Sequence, residues 1–127
     1  MPQIDLVEET YIAADPPLVR ARLAAAELAR QMWPDLRLHI TEDRGRLGLR
    51  YAVAGEFTGT AEVWFQEWAD GVIVHVYLRV DPSGGLSPRR AVRELHRRQR
   101  AAKSVLWQVK DDLEAGRRAG ERAGYRA

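Results

Sequence analysis

Apolar and polar positions alternate with a period of two along residues 71–80 (GVIVHVYLRV). Val72, Val74, Val76, Leu78 and Val80 share one face, and Ile73, His75, Tyr77 and Arg79 the other. That pattern predicts a strand buried on one side. The period then changes. DPSGGL supplies turn residues, Ser87 is placed as an N-cap and Pro88 at the first helical position. No Pro or Gly follows until Gly116, which allows a helix of about 28 residues, or ~42 Å. Its apolar positions are Val92, Leu95, Ala102, Leu106, Val109 and Leu113, with Gln99 as the polar member of the stripe. Arg89, Arg93, Arg97 and Arg100 line the opposite side.

Upstream, residues 3–13 (QIDLVEETYIA) read as a first strand with imperfect alternation. Asp15 is a candidate N-cap, followed by Pro16 and Pro17 in the first turn of a helical stretch that buries Leu18, Leu23, Ala26 and Leu28. The run Ala24–Ala25–Ala26 permits either a close approach or a bend into two short helices, and Pro34 ends the stretch near Met32. A hairpin joins residues 36–41 to 47–53 through EDRGR, with Leu38 and Ile40 facing Leu49, Tyr51 and Val53. Gly55 and Gly59 flank a bend before a strand at 60–68, where Ala61, Val63 and Phe65 share one face and Glu62, Trp64 and Gln66 the other. Ala69–Asp70–Gly71 is the next hairpin turn, signalled by Asp-Gly.

The chain has 127 residues and no cysteine. One domain with a real core is therefore expected, without disulfides, thiolate metal sites or cysteine nucleophiles. No stretch approaches the ~18 apolar residues of a membrane span, and the acidic start is unlike a signal peptide, so the expected location is the cytoplasm. The net charge of +2 is unevenly distributed. Residues 1–85 carry 8 basic and 13 acidic side chains, whereas residues 86–127 carry 12 basic and 5 acidic. Such asymmetry fits an anionic partner for the basic half, or attraction between the two halves within the fold.

The order strand, paired helical segment, antiparallel meander and long final helix resembles the helix-grip fold of the START-like (SRPBCC) superfamily, in particular its bacterial polyketide cyclase/dehydrase and lipid-transport branch. The residues carrying the resemblance are YIAADPPLV at 11–19, Trp33-Pro34 and AEVWFQEWADGVIVHVYLRV at 61–80. The resemblance implies an α+β domain over residues 1–116. In it, a curved antiparallel sheet wraps a long C-terminal helix, with two short helices after the first strand. Residues 117–127 are expected to form a flexible basic tail. The pattern yields five strands where the superfamily usually has seven, which predicts a smaller or more open cavity.

The resemblance also implies a ligand pocket between the sheet and the last helix. Its expected lining is Leu49, Tyr51, Val63, Phe65, Val74 and Val76 from the sheet, with Leu95, Gln99, Ala102 and Leu106 from the helix and Trp33 at the mouth. So apolar a lining suits a small hydrophobic molecule, a lipid or polyketide-like compound, oriented by Tyr51 and Gln99. The competing reading is that these side chains fill a solid core.

No catalytic residue, cofactor or metal site is expected. His39, His75 and His96 lack partners at triad or metal-ligand spacing, and the carboxylate pairs fall at turns or on exposed faces. An aromatase/cyclase-like enzyme is the alternative; it requires the register to slip by one residue, turning His75, Tyr77 and Arg79 inward. A further alternative is an interaction module. Trp64, Tyr77 and Arg79 on the outer sheet face would serve a homodimer or another protein partner. The stripe Arg89, Arg93, Arg97 and Arg100 would serve an anionic partner such as RNA, although no groove-reading motif accompanies it.

Overall fold

The computed structural model describes residues 2–115; the tail expected at 117–127 lies outside them. Strand β1 (Ile4–Ile12) leads into helices α1 (Pro16–Ala24) and α2 (Ala26–Met32). Strands β2 (Arg37–Asp43), β3 (Gly48–Ala54), β4 (Phe57–Trp68) and β5 (Gly71–Pro82) form a meander, and α3 (Pro88–Glu114) closes the chain. The five strands make one antiparallel sheet in the order β1-β5-β4-β3-β2. This is the architecture that the hydrophobic pattern predicts, including the two short helices.

The register of β5 decides which face is buried. Val72, Val74, Val76 and Leu78 are fully buried, while His75 pairs with Trp64 on the opposite face. The slip that would have turned His75, Tyr77 and Arg79 inward does not occur. On β1, Ile4, Leu6 and Ile12 join the same core, and α3 packs chiefly against this strand and against α2.

Several local expectations are corrected. Asp15 occupies the N-cap position of α1 without a side-chain capping bond; Pro16 and Pro17 have no N–H to offer it, and the Leu18 and Val19 N–H groups bond the Asp15 carbonyl instead. Val19, not Leu18, enters the core, and Ala26 faces solvent. Val19 and Leu23 lie four apart on one face of α1, and the break at Ala25 (φ −64°, ψ 134°) resets the phase so that α2 buries Ala29 and Met32 instead of Ala26. Strand β4 begins at Phe57, with Gly59 inside it at φ 153° rather than beside it. A Cβ on Gly59 would stand 2.0 Å from the Arg79 carbonyl oxygen, so only glycine lets the strands approach there.

In the β4–β5 hairpin the left-handed residue is Ala69 (φ 51°), while Gly71 opens β5. A Cβ on Gly71 would meet the Ile12 carbonyl oxygen at 2.3 Å. The turn falls at Ala69 and Asp70, within the expected Ala69–Asp70–Gly71, and Gly71 begins the strand at a crowded point. In β2 a bulge between Ile40 and Glu42 disturbs the edge, and Ile40 remains half-exposed.

Helix α3 starts as predicted: Ser87 Oγ accepts from the Arg90 N–H at 3.3 Å, with Pro88 behind it. Its buried seam is shifted by one residue at mid-helix. Arg98, Ala102, Val105, Leu106 and Val109 are buried, whereas Val92 is half-exposed. The helix is fastened at both ends. The Gln3 side chain bonds the Leu86 N–H and carbonyl before it, and near its end Lys110 Nζ donates to the Tyr11 carbonyl at 2.7 Å while Glu114 accepts from the Ala13 N–H at 2.7 Å.

Candidate ligand-binding site

Helices α1, α2 and α3 all cover the inner sheet face, and the side chains named for the pocket meet beneath them. Trp33, Leu49, Tyr51, Val63, Phe65, Val74, Val76, Ala102 and Leu106 belong to one packed cluster, with Leu95 partly buried against it. Gln99 is half-buried at its side. Space opens on both flanks of the α1–α2 pair. Between α2 and β2 lies a cleft of about 490 Å³ walled by Ala24, Ala26, Ala29, Leu36, Leu38 and Ile40, with Arg30 and His39 at the rim. Buried Tyr51 is its floor. On the other flank Pro16, Pro17, Ala21 and Phe65 wall a second cleft of about 710 Å³, edged by Asp15, Arg20, Arg46 and Glu67.

Below Tyr51 the interior becomes polar at one spot. The Tyr51 ring meets Trp33 edge-on, with centroids 5.2 Å apart and planes at 67°. Burial pushes the Tyr51 hydroxyl above the usual phenol range, so at neutral pH it is a neutral donor. Trp33 is 1 % exposed, and its indole Nε1–H has no acceptor among the described residues.

Next to it comes a residue that the sequence reading misses. Arg98, 2 % exposed, donates through Nη1 to the carbonyl of Pro34, the residue after Trp33. Its Nε donates to Glu94 Oε2 at 2.8 Å, and its guanidinium lies 5.3 Å from the Phe57 ring centroid. Nη2 has no acceptor among the described residues. Burial lowers the pKa of Arg98, partly countered by Glu94. Glu94 itself is pushed up by burial, yet the hydrogen bond from Arg97 and the charges of Arg98 and Arg97 leave it below the usual carboxylate range. A signal for Arg98 does exist in the sequence: Ala91, Leu95, Arg98, Ala102, Val105 and Val109 recur at alternating spacings of four and three.

The outer sheet face is engaged in its own contacts. Trp64 stacks on His75, with centroids 4.2 Å apart. His75 places Nδ1 2.7 Å from Glu9 and Nε2 2.9 Å from the Gln66 side chain. Arg79 lies over Tyr77 at 5.7 Å and pairs with Asp5 at 3.3 Å. Along α3, Arg89, Arg93, Arg97 and Arg100 are exposed. Arg97 pairs with Glu94 at 3.1 Å and faces Asp35 at 3.8 Å. Lys103 approaches Glu8 at 3.9 Å, so with Arg97 and Asp35 part of the charge asymmetry is used within the fold; in the opposite sense Arg22 bonds Asp112 at 3.1 Å. Among the described residues no three His, Cys, Asp or Glu side chains are grouped to hold a metal ion, and no helix is long and apolar enough to cross a membrane.

Solved structures share this architecture over nearly the whole chain. The Aha1 dimer from Colwellia psychrerythraea superposes with a TM-score of 0.63 at 14 % identity, covering 91 % of this chain and 99 % of that one. DR_A0006 from Deinococcus radiodurans gives 0.65 at 13 %, covering 88 % and 98 %. The fold is the START-like helix grip. A conserved protein of unknown function from Enterococcus faecalis has the same helix grip, with a TM-score of 0.58 at 18 % identity, covering 92 % of this chain and 75 % of that one. No protein-family model and no curated protein matches the sequence. The helix grip here has five strands, and β3 passes to β4 through Gly55 and Glu56 alone.

Proposed function

We propose that this protein binds a small hydrophobic molecule, a lipid or polyketide-like compound, between the sheet and α3, holding it without transforming it and acting in the cytoplasm. The observation that carries this reading is the apolar cleft between α2 and β2, whose floor, Tyr51, is also a wall of the core. A concave apolar site with few convergent polar groups is the usual form of a small-molecule pocket. The lining is Trp33, Leu49, Tyr51, Val63, Phe65, Val74, Val76, Leu95, Gln99, Ala102 and Leu106. All but Gln99 pack in or against one apolar cluster. Affinity comes from apolar burial at ~25 cal/mol per Å².

The test is native mass spectrometry of protein purified from its own host, followed by solvent extraction of the bound material. A discrete hydrophobic adduct is expected, absent from an Ala102→Phe variant that fills the space. A bare mass, together with no rise in thermal stability when fatty acids are added, would refute the reading.

A second reading is self-association through the outer face. It is favoured by half-exposed Val7, paired with Tyr77 beside Trp64 and Arg79, and by the dimer formed by the Colwellia neighbour. Sedimentation equilibrium of wild type and Val7→Glu tests it: a dimer lost in the variant is the expected result, and a monomer at high concentration refutes it.

A further inference from the structure

We infer that the cleft between Phe57, Leu86 and the first half of α3 binds a phosphorylated ligand, its phosphate held by Arg90, Arg93, Arg97 and Arg100. The cleft measures about 360 Å³ and shares no lining residue with the α2–β2 cleft. This site therefore stands apart from the hydrophobic-ligand reading. Four guanidiniums line it against one carboxylate, Glu94, a balance of +3. That carboxylate is already engaged, by Arg97 at 3.1 Å and by buried Arg98 at 2.8 Å. Asp35 approaches Arg97 at 3.8 Å. Among the described residues no carboxylate pairs with Arg90, Arg93 or Arg100.

Helix stability does not account for this crowding. The four arginines follow one another at spacings of three and four, where like charges repel. Arg90 also stands in the first turn, which holds no acid and where the helix dipole disfavours a cation. A multiply charged anion relieves both effects, and a guanidinium fork matches the oxygens of a phosphate two at a time. Charge selects phosphate over carboxylate, because three guanidiniums with no carboxylate of their own suit a dianion better than a monoanion. The floor is fixed beforehand. The Gln3 side chain holds Leu86 by its N–H and its carbonyl, and the Phe57 ring lies 5.3 Å from the Arg98 guanidinium. Periodicity alone groups Arg89 with Arg93, Arg97 and Arg100; in the fold Arg90 lines the cleft and Arg89 lies outside the lining.

The experiment titrates inorganic pyrophosphate into the protein in low-salt buffer, followed by calorimetry and by the backbone amide signals of the ¹⁵N-labelled protein. Acetate is the monoanion for comparison. Pyrophosphate is expected to bind more tightly than acetate and to move the signals of Leu86, Arg93 and Arg97 while those of Ala26 and Ala29 stay in place. Arg93→Gln and Arg100→Gln are each expected to weaken it about tenfold, and Arg89→Gln, which loses the same charge outside the cleft, less than about twofold. All three side chains are exposed, so each variant is expected to keep a native circular dichroism spectrum. Vesicles of phosphatidylcholine containing phosphatidic acid separate the two sources of such a phosphate. Co-sedimentation lost in Arg93→Gln and kept in Arg89→Gln assigns the site to a lipid headgroup. Pyrophosphate binding without co-sedimentation assigns it to a free phosphorylated compound. Equal weakening by Arg89→Gln reduces the effect to general attraction by a basic surface and overturns the site, as does acetate bound as tightly as pyrophosphate. Binding of neither pyrophosphate nor vesicles also overturns it, and leaves the hydrophobic-ligand reading intact.

Discussion

Arg98 sits where a helix seam would normally place leucine, and its stability rests on Glu94 more than on its own bonds. Removing the carboxylate leaves a buried cation, whereas removing the cation leaves Glu94 still paired with Arg97. Glu94→Gln is therefore expected to cost about 2–3 kcal/mol and Arg98→Met only about 1 kcal/mol, measured by urea unfolding at neutral pH. The sign with pH follows from the lowered pKa of Glu94. Its contribution is complete above the ordinary carboxylate range, near pH 4.3 for glutamate, and is lost as pH falls through the lower folded value. The stability gap between wild type and Glu94→Gln should shrink as pH falls below the ordinary glutamate range; a constant gap would contradict the assignment. At Ala69 a left-handed backbone bears a methyl group. Ala69→Gly is expected to stabilise by about 0.5–1 kcal/mol, read from the urea midpoint. Neither Ala69 nor Arg98 was legible from composition. The Asp-Gly pair located the turn but not its left-handed residue, Ala69, and an arginine counts as polar until its stem is seen packed against the core.

At the level of elements, periodicity carried the reading well where one face is buried and poorly where two segments share a boundary. The strict alternation in β5 fixed its inner face residue by residue. The helical run after β1 was ambiguous because three alanines continue a helix as readily as they interrupt one; Val19 and Leu23 share the buried face of α1, and past the break at Ala25 that face restarts with Ala29 and Met32. Strand β4 extends three residues further back than the alternation indicates. There Gly59 has no side chain to register, and its role is to let β5 come close. Gly59→Ala is expected to destabilise by about 3 kcal/mol or more, since backbone atoms rather than a movable side chain occupy the space. Chemical denaturation measures this, and a loss below about 1 kcal/mol would show that the strands relax apart.

For the molecule as a whole, the order of elements was enough to identify the architecture, because a long amphipathic helix after a four-strand meander has only the sheet to cover. The clefts were not legible. They form where segments distant in sequence meet, α2 with β2 in one and the start of α1 with Arg46 and β4 in the other, and no periodicity encodes such meetings. The polar spot was hidden for a related reason: Trp33, Pro34 and Arg98 are distant in sequence and converge only when α3 crosses the end of α2.

The pairing of β1 with β5, and the fastening of α3 back onto the end of β1, bear on how the chain acquires its structure during synthesis. Ile4 finds its partner only when Val80 has been made, and the ties from Lys110 and Glu114 to Tyr11 and Ala13 wait almost until the end. The first strand emerges from the ribosome with its apolar face uncovered and stays so while the β2–β3–β4 meander assembles beside it. Contacts of such long range slow folding. A nascent chain stalled before α3 would display the inner sheet face to chaperones, and release of the last helix would be the event that commits the domain to its native state.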